Sequence, residues 1–158
     1  MKLHIFIGIS GSGKSTLAKE ILEQDPTIIR INRDDIRSCI AGGLKDYYLS
    51  PHIYTREGIV NSAVCSILHK CFNESLPIII DNTNLTKEYI QFFLKRKPDS
   101  YEVVFHIFES DIETSEQRVL TRDGNVDVSY ISKQYGQMTK LLNSFDFEKH
   151  GKVIRYEV

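Results

Sequence analysis

The sequence lacks most of what would mark it for a membrane, for secretion or for a long polyanion. Its 158 residues carry a formal net charge of −1, so no global basic field exists to grip extended nucleic acid, and any polyanion must be held locally. Cysteine is scarce: Cys39, Cys65 and Cys71 are odd in number and show no metal-ligand spacing. That argues against a disulfide framework or a zinc site and predicts reduced core thiols in a cytosolic protein. The opening apolar run is broken by His4, which does not suit a signal peptide, and no stretch approaches the length of a membrane span. A soluble, intracellular protein is expected. Repeats, low-complexity tracts and linker-like segments are also missing, and with 41% hydrophobic content at this length the chain suits one domain with a real core, over residues 1–158.

What is present alternates between two periods. Apolar runs at 3–7, 28–31, 77–80, 101–108 and 152–156 read as strands, separated by segments of helical periodicity. One helix follows residue 14 and carries Leu17, Ala18, Ile21 and Leu22; a longer one carries Val60, Ala63, Val64, Ile67, Leu68 and Cys71 and ends before Pro77. Asp123-Gly124-Asn125 interrupts the helical pattern between about 111 and 143. The alternation predicts an α/β domain with a mainly parallel five-stranded sheet covered by helices on both faces.

Directly behind the first run stands Gly8-Ile9-Ser10-Gly11-Ser12-Gly13-Lys14-Ser15, which fits the phosphate-loop pattern GxxxxGK[ST] in the strand-turn-helix context the pattern requires. Gly11 and Gly13 let backbone amides and the helix start converge on a β-phosphate. Lys14 supplies a mobile ammonium for the β- and γ-oxygens, and Ser15 a hydroxyl for Mg²⁺. Binding of a nucleoside triphosphate, ATP or another, is therefore expected.

Ligands of parallel sheets sit at the carboxyl ends of strands, where three further clusters fall. In Asn32-Arg33-Asp34-Asp35-Ile36-Arg37, a helix would put Asp34 and Arg37 on one face while Ile36, Cys39 and Ile40 turn to the core. The pair can accept a hydroxyl proton and fork onto a phosphate, or it can be ordinary helix-start chemistry with Asn32 as cap. In Asp81-Asn82-Thr83-Asn84-Leu85, the acid can hold Mg²⁺ through water and the short polar chains can bond a substrate; the same residue types also suit a strand end and a turn. Arg118 and Arg122 stack on one helix face before a glycine turn able to hinge a lid, and they can meet a γ-phosphate or simply face solvent. Lys95-Arg96-Lys97 reads as a solvated helix end.

Together, Gly8-x-x-Gly11-Ser12-Gly13-Lys14-Ser15-Thr16, Ile31-Asn32-Arg33-Asp34-Asp35-x-Arg37, Tyr54-Thr55 with Glu57-Gly58-Ile59-Val60, Asp81 with Thr83-Asn84-Leu85, and Arg118-x-x-x-Arg122 resemble the kinase domain of phage-type polynucleotide 5′-hydroxyl kinase. That family stands within the small P-loop kinases that also include zeta toxins and bacterial RNA-repair kinases. The resemblance spans most of the chain and implies a P-loop fold with a mobile lid that uses ATP and Mg²⁺. It implies Asp34 as general base, Arg37 on the phosphate 3′ to the terminal nucleotide, and Thr83 as a second acceptor contact. Gly11 to Thr16 with Arg118 and Arg122 would surround the donor phosphates, with Lys14 and Arg122 acting on the transferred group. Ser15 and, through water, Asp81 would serve the metal. The acceptor would be a 5′-hydroxyl end of DNA or RNA, with functional coupling to a ligase, in a bacterial or phage-infected cytoplasm. The phage enzyme carries a following phosphatase domain; no DxDGT-type sequence occurs here, and phosphatase activity is not expected. The alternatives are a small-metabolite or zeta-toxin-like kinase, and a nucleotide-binding regulatory module without transfer activity.

Overall fold

In a computed structural model describing residues 1–124 and 126–158, the apolar runs become five strands: β1 (Lys2–Ile7), β2 (Ile29–Ile31), β3 (Ile78–Ile80), β4 (Glu102–Glu109) and β5 (Lys152–Glu157). They form one sheet in the order β2-β3-β1-β4-β5, parallel at every pairing. In the centre Ile5 stands between Ile80 and Phe105. Parallel strands need covering on both faces, which explains why β3 is three consecutive buried isoleucines rather than an alternating pattern.

The side-chain alternation divides the interior in two. Leu3, Ile5 and Ile7 enter the larger core with Ile80, Phe105 and Ile107, closed by α4 (Ile53–Asn73), α5 (Lys87–Leu94) and α7 (Tyr130–Ser144). Phe6, Ile79 and Phe108 enter a smaller one closed by Ala18, Leu17, Ile21 and Leu22 of α1 (Lys14–Gln24). Helix α4 buries Val60, Val64, Leu68 and Cys71, a stripe at helical spacing, each large side chain contributing about 1.5–3 kcal/mol by leaving water. On the α1 face, His4 Nδ1 lies 2.8 Å from His106 Nε2, and His106 Nδ1 lies 2.8 Å from the Tyr156 hydroxyl. Burial, then the neighbouring His4 and Lys152, pushes the His106 pKa down to about 4, and burial with Lys2 lowers that of His4.

Two packing expectations need correction. Only Cys71 is a core thiol; Cys39 and Cys65 are exposed. Helix α2 (Arg33–Ala41) has no fully buried residue: Ile36 packs against the core, but Ile40 is exposed like Cys39. The reason is position. α2 lies beyond the short edge strand β2, and its inward face is occupied largely by Arg33 and Arg37, which reach α4 instead. A short helix, α3 (Leu44–Tyr48), follows and buries Tyr47.

The expected break falls between α6 (Ile112–Asp123) and α7, with Gly124 at φ 77°; Asn125 lies outside the described residues. Lys95, Arg96 and Lys97 come directly after α5, with Arg96 over the Phe92 ring, where cations complement a helix C-terminus. No described helix is long and apolar enough to cross a membrane.

Candidate functional site

All of the sequence-predicted site residues meet in one cleft of about 830 Å³ at the carboxyl ends of the strands. Its lining includes residues 10–16, Asp34, Arg37, Asp81, Thr83, Arg118 and Arg122. A smaller pocket beside α7, lined by Glu109, Ser110, Asp111, Tyr135, Met138, Thr139 and Leu142, holds none of these residues.

The loop between β1 and α1 is fixed by contacts made mostly to its backbone. Gly8 N–H donates to the Thr83 carbonyl (3.1 Å), and Ser10 N–H to Gln134 Oε1 on α7 (2.8 Å). Gly11 and Gly13 sit at φ 82° and 88°, in the left-handed region that side chains disfavour. A Cβ on Gly11 would also collide with the Ser115 carbonyl at the first turn of α6. The close approach places Arg118 Nη1 3.4 Å from the Gly11 carbonyl. Lys14 folds back over the loop, donating to the Ile9 carbonyl (2.7 Å) and Ser12 Oγ (3.2 Å). Burial brings its pKa down to about 8, with Asp81 and Asp34 opposing the shift and Arg122 adding to it. Ser15 and Thr16 stand exposed at the start of α1, and Arg122 is held in a bidentate pair by Asp123 (2.6 Å).

On the other side of β1 the cleft is made of side chains. Asn32 caps α2: its Oδ1 accepts from the Asp34 and Asp35 amides (2.9 and 3.0 Å). Asn82 Oδ1 accepts from the Arg33 amide (2.9 Å). The first amides of α2 are therefore occupied, and its start offers no ready cradle for an anion. Asp34 is 55% exposed toward the cleft, with Oδ1 2.7 Å from Arg37 Nη1. Arg37, 17% exposed, also gives Nε and Nη2 to Glu57 of α4 (2.8 and 3.1 Å). Burial works against the Arg37 charge, but the bonds to Glu57 and Asp34 outweigh it and raise its pKa. Glu57 accepts in addition from Arg33 Nη2 (2.8 Å) and the Tyr47 hydroxyl (2.6 Å). Its pKa falls to about 2, chiefly through Arg37. Arg30, pointing from β2, pairs with Asp35 and with Asp81 Oδ2 (2.6 Å).

The caps thus leave the Asp34 and Arg37 side chains lining the cleft. Asn84 resolves differently: at φ 49° its amide donates to the Phe6 carbonyl (2.7 Å), tying the ends of β1 and β3 together as a structural turn residue. Thr83 fastens the phosphate loop through its carbonyl and lines the cleft.

A divalent cation has a modest but suitable donor set. Asp81 is 1% exposed, and its Oδ1 is buried without a hydrogen-bond partner, while Oδ2 is saturated. The Ser15 hydroxyl lines the same cleft. No group of three His, Cys, Asp or Glu gathers among the described residues. Mg²⁺ is usually held by one or two protein oxygens plus substrate phosphates, a role that Asp81 Oδ1 and the Ser15 hydroxyl would suit.

Arg33, which lines the cleft, and Arg30, Glu57 and Gln134, which bond to residues that line it, escaped the sequence reading. Arg30 carried a signal, being the one charge within an isoleucine-rich strand. Arg33 and Glu57 stood in the quoted motifs without a role, since their pairing spans 24 residues and has no local periodicity. Gln134 had none.

The model of the family described as "AAA domain" matches residues 3–143. A protein of Autographa californica nuclear polyhedrosis virus, named for bifunctional polynucleotide kinase and RNA ligase activity, is 27% identical over 92% of this chain and 22% of its own length. Among solved structures, a chain of the Pnkp1/Rnl/Hen1 RNA repair complex superposes with a TM-score of 0.79 at 27% identity, over 92% of this chain and 46% of that one. The PezAT toxin-antitoxin system of Streptococcus pneumoniae shares the fold, with a TM-score of 0.68 at 19% identity over 98% and 67% of the chains. The present chain thus spans under half of the length of the first two relatives. It belongs to the AAA-domain family matched over residues 3–143.

Proposed function

We propose that this member of the AAA-domain family is a kinase that transfers the γ-phosphate of ATP, or of another nucleoside triphosphate, to the 5′-hydroxyl end of DNA or RNA. The observation that carries the reading is the Asp34–Arg37–Glu57 chain beside the phosphate loop. A solvent-facing carboxylate stands next to a guanidinium that two acids hold in place. The kinase and RNA-repair names of the relatives at 27% identity support it.

In this reading Asp34 takes the proton of the 5′-hydroxyl as the oxygen–phosphorus bond forms and the bond between the γ-phosphorus and the β–γ bridging oxygen breaks. Lys14 exchanges the Ile9 carbonyl for the donor's β- and γ-oxygens, and Arg118 and Arg122 approach the same oxygens from α6, with Gly124 as the hinge. Ser15 and Asp81 would hold Mg²⁺, which supplies charge neutralisation at the phosphates. Arg37 holds the phosphate 3′ to the terminal sugar, and Thr83 is a second acceptor contact. The product, a 5′-phosphate end, is what a ligase consumes, which is consistent with a relative named for both activities.

The test compares kcat/KM for a nucleoside 3′-monophosphate, the free nucleoside and a sugar, in wild type and Arg37→Ala. The 3′-phosphorylated acceptor should be preferred, and Arg37→Ala should cost it roughly 10- to 150-fold, about 1.5–3 kcal/mol for one charge-assisted contact, with little loss on the nucleoside. Indifference of the wild-type enzyme to the 3′-phosphate would turn the reading toward a metabolite kinase. Absence of any transfer would leave a nucleotide-binding module.

A further inference from the structure

We infer that Tyr89 is the platform on which the base of the acceptor's terminal nucleoside stacks. The inference rests on the polynucleotide-kinase reading and deepens it. Three aromatic rings line the cleft: Phe108, Tyr156 and Tyr89. The first two occupy each other, stacked at 4.7 Å and 14°, and the Tyr156 hydroxyl is further tethered to His106. Both stand at the ends of β4 and β5, on the donor side of β1.

Tyr89 differs on each count. It is 50% exposed although it lines the cleft. Among the described residues its ring meets no other ring and its hydroxyl has no hydrogen-bond partner. An exposed tyrosine on a helix is ordinary; what distinguishes this one is its place. It sits in the first turn of α5, where the Thr86 cap receives its amide (3.4 Å). The segment that presents it, residues 82–86, also carries Asn82 and Thr83, and it lines the cleft together with Asp34 and Arg37 of α2. The ring is thus carried on a fixed backbone, with two χ angles to order and an apolar face to offer.

Acceptor geometry supplies the remaining step. One sugar bears the reactive 5′-oxygen, the 3′-phosphate and the base. With the first at Asp34 and the second at Arg37, both on α2, the base is left to the wall formed by residues 82–89. A π-face there accepts any base, because every base has one. Purines, with the larger face, gain most.

The experiment measures kcat/KM for a nucleoside 3′-monophosphate and for its abasic counterpart, 1,2-dideoxyribose 3-phosphate, with wild type, Tyr89→Ala and Tyr89→Phe. Wild type should favour the base-bearing acceptor by roughly 5- to 150-fold, the range spanned by single base-aromatic stacks. Tyr89→Ala should erase that preference while leaving the abasic acceptor unaffected, and Tyr89→Phe should keep it. Equal use of both small acceptors by wild type, or an equal loss on both in Tyr89→Ala, would overturn the inference and leave the polynucleotide-kinase reading standing. Absence of transfer to any of them would remove both.

Discussion

The two halves of the cleft are built from different materials. On the donor side the loop from Gly8 to Lys14 is organised through backbone amides, two left-handed glycines and a helix start, and its one buried cation, Lys14, rests on the loop's own carbonyl. On the α2 side two separate groups of ion pairs stand, Arg30 with Asp35 and Asp81, and Arg33 and Arg37 with Glu57 and Asp34, and asparagine side chains close the helix start. A backbone site is cheap to hold but waits for its ligand to complete the charge. A side-chain site completes its own charge in advance, and its arginines are ordered before any phosphate arrives. Lys14 and Arg37 show the contrast directly: burial lowers the pKa of one, while carboxylates raise that of the other.

The largest expected effect breaks the donor half alone. Lys14→Ala should abolish transfer, because it removes a charge aimed at the migrating phosphoryl group. Its thermal midpoint should stay level or rise slightly below pH 8. The free protein disfavours the charged form, whose pKa is lowered from 10.5 to about 8, so the cost is present below pH 8 and fades toward 10.5. Calorimetry with an initial-rate assay checks both, and near-normal turnover would take the loop out of the chemistry.

The next effect tests the acceptor half at its exposed end. Asp34→Asn should lower kcat by roughly 10²- to 10⁴-fold with ATP affinity little changed. Asp35, paired with Arg30 at the side of the cleft, should matter less to the chemistry when changed to Asn. Equal losses at both would undo the assignment of the base.

The smallest effect on rate should be the largest on stability. Glu57→Gln should cost about 1–3 kcal/mol at neutral pH, because it leaves two part-buried guanidinium groups short of a carboxylate. The Glu57 pKa is depressed from 4.5 to about 2, so its stabilisation is fully present above pH 4.5 and is lost as pH falls toward 2. Urea titrations of wild type and variant should therefore diverge at pH 7 and converge in acid. A constant gap across that window would mean that packing, not charge, is what Glu57 supplies.

What was legible beforehand follows the same division. The phosphate loop is a local string, and the strand runs are local hydrophobic patterns, so the sheet and the place of the loop could both be read from neighbours in sequence. The pairing of Asp34 with Arg37 was readable at helical spacing for the same reason. The side chains that hold Arg37 from behind were not, since Glu57 and Tyr47 come from other helices and meet only once α2, α3 and α4 pack. The core expectation for Cys39 and Ile40 failed because periodicity tells which residues share a face, not whether another element covers it.

The contact of His4, His106 and Tyr156 across β1, β4 and β5 has a directional consequence. With both rings neutral, each of the two links holds a single proton, and His106 can donate through only one of its nitrogens. If the Tyr156 hydroxyl donates to His106, then His106 donates to His4. If His4 donates instead, every arrow reverses and the tyrosine proton is released from the chain. The three strands therefore share one tautomeric choice, and charging His4 at the partly exposed end forces the second arrangement, reorienting a hydroxyl two strands away without moving a heavy atom.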